Sequence, residues 1–105
     1  MSVNLDVPIP LRLRALGEPL RWQIAGLLAG EELCVCHLVE ELGVPQSLVS
    51  HHLRVLRDAG VVEAERFRYW TYYRIRPQAL AELAEHLGGL AAGSPAPGTR
   101  RRACG

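Results

Sequence analysis

The amino-acid sequence has no apolar run long enough to span a bilayer, and its start lacks the basic residues and apolar stretch of a secretory signal. A membrane protein is therefore not expected, and the cytoplasm is the compartment this reading favours. Cysteine is scarce and odd in number: Cys34, Cys36 and Cys104. Such a set makes a poor disulfide framework and suits a reducing compartment, which leaves metal or redox chemistry as the use to look for. Catalytic signatures are missing too. With no Gly-rich phosphate loop, no nucleophile elbow and no HExxH helix, no enzyme is expected. Lysine is absent, so all twelve basic residues are arginine.

What remains describes one small folded domain. At 105 residues, with 49% hydrophobic and 22% charged residues, the chain supports a single modest core. Its charge is uneven although the net value is only +1. Residues 44–76 hold six Arg against three acidic residues, whereas residues 31–43 hold four Glu and no Arg. A basic half beside an acidic half points to an anionic partner at one face.

The pattern predicts helices, then a hairpin, then a helix. Leu11, Leu13 and Leu16 mark a short first helix ended by Gly17, and Pro19 opens a second carrying Leu20, Ile24, Leu27 and Leu28. Leu33, then Val35 or Cys36, then Val39 and Leu42 define a third, closed by Gly43. Only Val44 and Pro45 precede a fourth, from Gln46 to about Ala59, with Val49, Leu53 and Leu56 on one stripe. Two helices joined by so short a Gly-containing turn are a helix-turn-helix candidate.

On that fourth helix Ser47, Ser50, His51 and Arg54 form a polar stripe at helical spacing, as groove contacts require. Gln46 and His52 are expected near the phosphates or bases. Val61–Glu65 and Trp70–Ile75 read as strands of a hairpin whose tip carries Arg66 and Arg68, the arrangement of a DNA-contacting wing. After Pro77, Leu80, Leu83, Leu87 and Leu90 make a leucine seam for the chain's own core or a second subunit, with Gly88 and Gly89 weakening the end. The domain is thus placed at residues 1–90, and the Gly-, Ser- and Pro-rich stretch 91–105, with its Arg100–Arg102 run, is expected to be a flexible tail. The fold class is mainly α with a small β-hairpin, a winged helix-turn-helix of about five helices and a two-stranded wing.

The run Leu33-Cys34-Val35-Cys36, the helix around Val49–Arg57, the Ala59–Val62 cap into a strand, and Trp70–Ile75 together resemble the ArsR/SmtB family of metal-responsive repressors. The resemblance covers roughly residues 13–87. It implies a homodimer built on the first and last helices, binding an inverted-repeat operator in double-stranded DNA. It also implies that Cys34 and Cys36 form a site like that of the family's arsenical repressors, with trivalent arsenic or antimony as effector and release from the operator as outcome.

Some features depart from the family pattern. Many arsenical repressors have a third Cys where this chain has Val39, which leaves Cys104 as the candidate third ligand. His37 reads as a capping or solvated residue rather than a ligand. A zinc site on the last helix finds only His86 beside Glu82 and Glu85, and residues 1–33 supply no cysteine for a cadmium or lead site. The wing tip has Phe67, Arg68 and Tyr69 where relatives have Gly, which predicts a longer or irregular turn. Three alternatives stay open: a cadmium or lead sensor, a thiol-oxidation sensor, and a DNA-binding module whose thiols are inert core.

Thiolate sulfur is the donor that soft ions prefer. Residues two apart on a regular helix point about 200° away from each other, so Cys34 and Cys36 are expected to hold one atom only if the start of the third helix is distorted. A strained Cys34–Cys36 disulfide follows from the same premise.

Overall fold

The computed structural model describes residues 9–104. Five helices, α1 (Leu11–Leu16), α2 (Pro19–Leu28), α3 (Val35–Leu42), α4 (Gln46–Asp58) and α5 (Pro77–Ala92), enclose one core beside an antiparallel hairpin of β1 (Val62–Phe67) and β2 (Trp70–Ile75). Ile24, Leu38, Val49, Leu53, Leu56, Val61 and Val62 are almost fully buried, and Ala15, Leu16 and Leu83 join them from α1 and α5. Every helix therefore contributes to the same cluster. Leu38 is the one fully buried residue of α3, and the stripe expected there omitted it. The true inward face is Val35, Leu38, Val39 and Leu42, which leaves Cys36 pointing outward.

Two glycines fix how α3, α4 and β1 follow one another. Gly43 ends α3 with φ 65°, donating its N–H to the Val39 carbonyl at 2.9 Å, and α4 begins after only two intervening residues. Gly60 follows α4 with φ 76° in a Schellman arrangement: Val61 N–H bonds the Leu56 carbonyl at 2.9 Å and Gly60 N–H that of Arg57 at 3.0 Å. A side chain at either position is strained by that φ alone.

The wing departs from expectation. Its strands pair from Val62 with Ile75 to Phe67 with Trp70, so Arg68 and Tyr69 alone make the turn. The turn is tight, not long, and Arg68 adopts φ 59° in place of glycine, its guanidinium lying 5.4 Å from the Phe67 ring centroid. A third short segment joins the hairpin: Leu33 bridges Tyr73 through two backbone bonds of 3.1 and 2.8 Å. Helix α5 runs through Gly88 and Gly89 to Ala92, two residues beyond the expected boundary, and residues 93–104 are exposed without helix or strand.

Candidate metal centre and nucleic-acid interface

Cys34 is not on the helix. It is the N-cap of α3, with extended backbone at φ −91° and ψ 170°, and its side chain is buried. The expectation that a helix holds the two sulfurs apart is therefore corrected, because the 200° separation applies only when both residues have helical dihedrals. The Sγ atoms of Cys34 and Cys36 and a ring nitrogen of His37 all lie within 4.8 Å of one another. No unwinding is needed to bring the thiols together, and helix geometry does not set them apart as the expected disulfide strain required. Both thiols are free.

His37 sits at the third helical position, where a capping side chain reaches back. Its Nδ1 accepts the Cys34 backbone N–H at 3.2 Å and lies 3.2 Å from Cys34 Sγ, while that sulfur faces the His37 N–H. This is a capping box built from Cys and His instead of Ser and Glu. Accepting that N–H requires an unprotonated Nδ1, which leaves the proton of the neutral ring on Nε2. Burial pushes the Cys34 thiol up, but the Cys36 S–H and the N–H groups of His37 and Cys36 aimed at its sulfur bring it below the usual thiol range. Cys36 moves up, because the neighbouring Cys34 sulfur favours its protonated form. Cys34 is thus the first of the pair to become the thiolate that binds metals. Cys104 lies exposed in the tail and is not part of this cluster.

The cluster is tied to the wing. The His37 ring faces Tyr72 of β2 with centroids 6.3 Å apart. Arg74 donates to Glu63 at 2.7 Å, to Glu65, and to Glu32 at 3.1 Å, which fastens the segment before Cys34 to the outer face of the hairpin.

On α4, Gln46, Ser47, His51 and Arg54 are exposed and Ser50 is half-buried, so these five share the outward surface. A groove of about 380 Å³ between α4 and the hairpin is lined by Ser50, Leu53, Arg54, Arg57, Asp58 and Tyr73. Arg66 and Arg68 are exposed at the wing tip. Arg54, Arg57, Arg66 and Arg68 form no ion pair among the described residues, whereas Arg74 and Arg76 are engaged by glutamates. The basic surface is therefore narrower than the sequence count implied.

His52 does not share that surface. It is buried at 8% exposure, and Arg21 Nη1 stands 3.1 Å from its Nδ1. A guanidinium only donates, so Nδ1 accepts. Glu18, which caps α2 through the Arg21 N–H at 2.9 Å, approaches the same ring at 3.7 Å. His52 thus fixes the back of α4 against α2 instead of reaching DNA. Burial, then the charges of Arg21 and His51, hold its pKa below 6.5 despite the opposing pull of Glu18. As pH falls through the ordinary imidazole range the unfolded chain takes the proton before the folded one, so stability is lost toward acid. Melting temperatures of the wild type and His52→Gln from about pH 7.5 to about pH 5 are expected to show a shallower acid decline in the variant. Equal slopes would exclude this role.

The chain matches the family described as "Bacterial regulatory protein, arsR family" over residues 18–64. It is 39% identical over 71 residues to the uncharacterized HTH-type transcriptional regulator MJ1325 of Methanocaldococcus jannaschii, covering 67% of this chain and 80% of that one. The chain belongs to the ArsR/SmtB family. As an ArsR/SmtB protein it is a DNA-binding transcriptional regulator with a winged helix-turn-helix, the fold expected from the sequence. It is 45% identical over 71 residues to the transcriptional repressor SmtB of Mycobacterium tuberculosis (68% of this chain, 53% of that). It is 39% identical over 70 residues to the arsenic resistance regulator ArsR1 of Pseudomonas putida (66% and 55%). The chain spans just over half the length of these two relatives.

Among solved structures, an ArsR-like regulator from Rhodococcus superposes with TM-score 0.72 at 26% identity, covering 78% of this ArsR/SmtB chain and 77% of that one. The homodimeric winged helix-turn-helix domain of Mb0332 from Mycobacterium bovis gives 0.64 at 32% identity, with 78% and 76% covered. Among the described residues, no helix is long and apolar enough to cross a membrane.

Proposed function

We propose that this regulator is a homodimeric repressor of an inverted-repeat operator, released when a thiophilic metal or metalloid ion binds Cys34 and Cys36. The observation that carries the reading is the adjacency of the two sulfurs at the start of α3, one hinge away from α4. Two thiolates favour trivalent arsenic or antimony, and the relative from Pseudomonas putida is named for arsenic resistance. The donor set fits such an ion. Metal–sulfur bonds of about 2.3 Å place two sulfurs on one atom about 3.8 Å apart at tetrahedral angles, within reach of side-chain rotation here.

Ser47, Ser50, His51 and Arg54, with Gln46, are assigned to the major groove, and Arg66 and Arg68 to the phosphate backbone. Arg54→Ala is expected to cost about 1–3 kcal/mol at the operator and to relax base preference at one position. Arg66→Ala and Arg68→Ala are expected to weaken binding to all sequences and to lower the salt-dependence slope by about one each. Fluorescence anisotropy at several salt concentrations separates the two classes, and a sequence-selective loss at the wing would overturn the assignment.

The effector reading is tested by titrating the operator complex with arsenite, antimonite, cadmium, zinc and peroxide. Release by arsenite or antimonite supports it. Release by peroxide alone, or by none of these, overturns it in favour of a thiol switch or a module without a sensor.

A further inference from the structure

We propose that His37 is the third donor to the effector ion, and that supplying this donor uncaps α3 and loosens the cluster's hold on the wing. The proposal rests on the reading that Cys34 and Cys36 bind the ion, and it adds a ligand, an effector class and a route of transmission.

Geometry selects the residue. A ring nitrogen of His37 already belongs to the three-atom group whose members lie within 4.8 Å of one another, and its Nδ1 stands 3.2 Å from the Cys34 sulfur. Neutral Nδ1 has a single lone pair, and in the free protein that pair accepts the Cys34 N–H at 3.2 Å. It serves the backbone or the ion, never both. When it turns to the ion, two S–H protons leave to solvent, two metal–sulfur bonds and one metal–nitrogen bond form, and the ring keeps its Nε2 proton. The Cys34 N–H is then left without its acceptor.

Two thiolates and an imidazole make a mixed soft and borderline set. That set suits a thiophilic divalent ion such as cadmium or zinc in tetrahedral coordination, with a fourth position open to water. The effector class thereby extends beyond trivalent arsenic, for which a reagent needing only two sulfurs leaves His37 free. The consequence reaches the DNA-binding surface, because the same ring faces Tyr72 while Leu33 bridges Tyr73 and Glu32 holds Arg74. Turning His37 disturbs a contact with β2 and the start of the helix supporting α4 in one movement.

The test uses the full chain and three variants. Gln at a third helical position keeps a capping box without an imidazole donor, so His37→Gln preserves the cap. Cadmium chloride is the first probe, followed by chelator competition and the sulfur-to-cadmium charge-transfer absorbance. Phenylarsine oxide, which takes two sulfurs, is the second. His37→Gln is expected to bind cadmium at least about tenfold more weakly and phenylarsine oxide within about twofold of the wild type. Cys104→Ser is expected to bind both probes like the wild type. In the wild type, cadmium is expected to speed exchange of the Cys34 amide about tenfold, as loss of one hydrogen bond implies, and to shift the Tyr72 and Tyr73 amide resonances. In His37→Gln the cadmium complex is expected to leave that exchange unchanged.

Cadmium affinity in His37→Gln equal to wild type would overturn the proposal while leaving the thiolate site intact. A Cys34→Ser/Cys36→Ser variant that still bound both probes would instead remove the reading beneath it.

Discussion

Exchanging Cys34 and Cys36 together for serine is expected to leave operator affinity within about twofold and to abolish effector-induced release entirely, since neither residue lies on α4 or at the wing tip and a hydroxyl is too hard a donor for a thiophilic ion. The fold has little reason to object. Serine is among the preferred N-cap residues, so Cys34→Ser keeps the acceptor that faces the His37 N–H. Cys36 is exposed. Cys36→Ser alone is therefore the cleaner test, because it breaks the chelate without altering a buried position. Operator binding followed by anisotropy, with arsenite and cadmium added in turn, reads the result. Retained release in the double variant would place the sensor elsewhere, and a collapse of operator affinity would show that the pair supports the fold.

The helix-turn-helix and the wing were legible in the sequence because their signals are local. Gly43 before Val44-Pro45, Gly60 after α4 and Pro77 at the first position of α5 each mark a boundary through backbone geometry that other residues adopt poorly. The start of α3 carried no such mark. Its cap is a cysteine partnered by histidine, outside the Ser, Thr, Asp and Asn vocabulary that signals a helix start, so Cys34 was read as helical and the sulfurs as opposed.

Other misreadings came from partners distant in sequence. His52 follows His51 of the polar stripe and is expected near the phosphates or bases, yet one step of about 100° turns it toward Arg21, 31 residues away. At the wing tip the six-pair ladder outweighs the cost of a left-handed Arg68, and local turn preference had pointed the other way. The basic count over residues 44–76 was correct as arithmetic but not as surface, because Arg74 and Arg76 are engaged by glutamates that only the folded hairpin brings near.

The second large effect concerns the face built by α1 and α5. Leu83 is buried and Leu80 packs against the chain's own core, but Leu87 and Leu90 on the same seam are 49% and 75% exposed. Ile9, Leu11 and Leu13 are exposed at the other helix of the pair, and the Arg12–Glu82 ion pair links the two helices. Large apolar side chains grouped on a chain this small mark an association surface, and a two-fold axis through it covers both copies at once. An inverted repeat requires two recognition helices about one DNA turn apart, near 34 Å, a spacing that only a paired molecule can supply. The wild type is accordingly expected to sediment as a dimer and Leu87→Glu/Leu90→Glu as a monomer, with the variant's helical circular dichroism retained because Leu80 and Leu83 are untouched. Its affinity for the full operator is expected to fall at least about 100-fold, as a specific two-site complex gives way to single-site binding, while affinity for a half-site duplex stays within about threefold. A variant that remained dimeric would move the interface off α5. One that became monomeric yet bound the full operator at wild-type strength would show that the two reading heads do not act together.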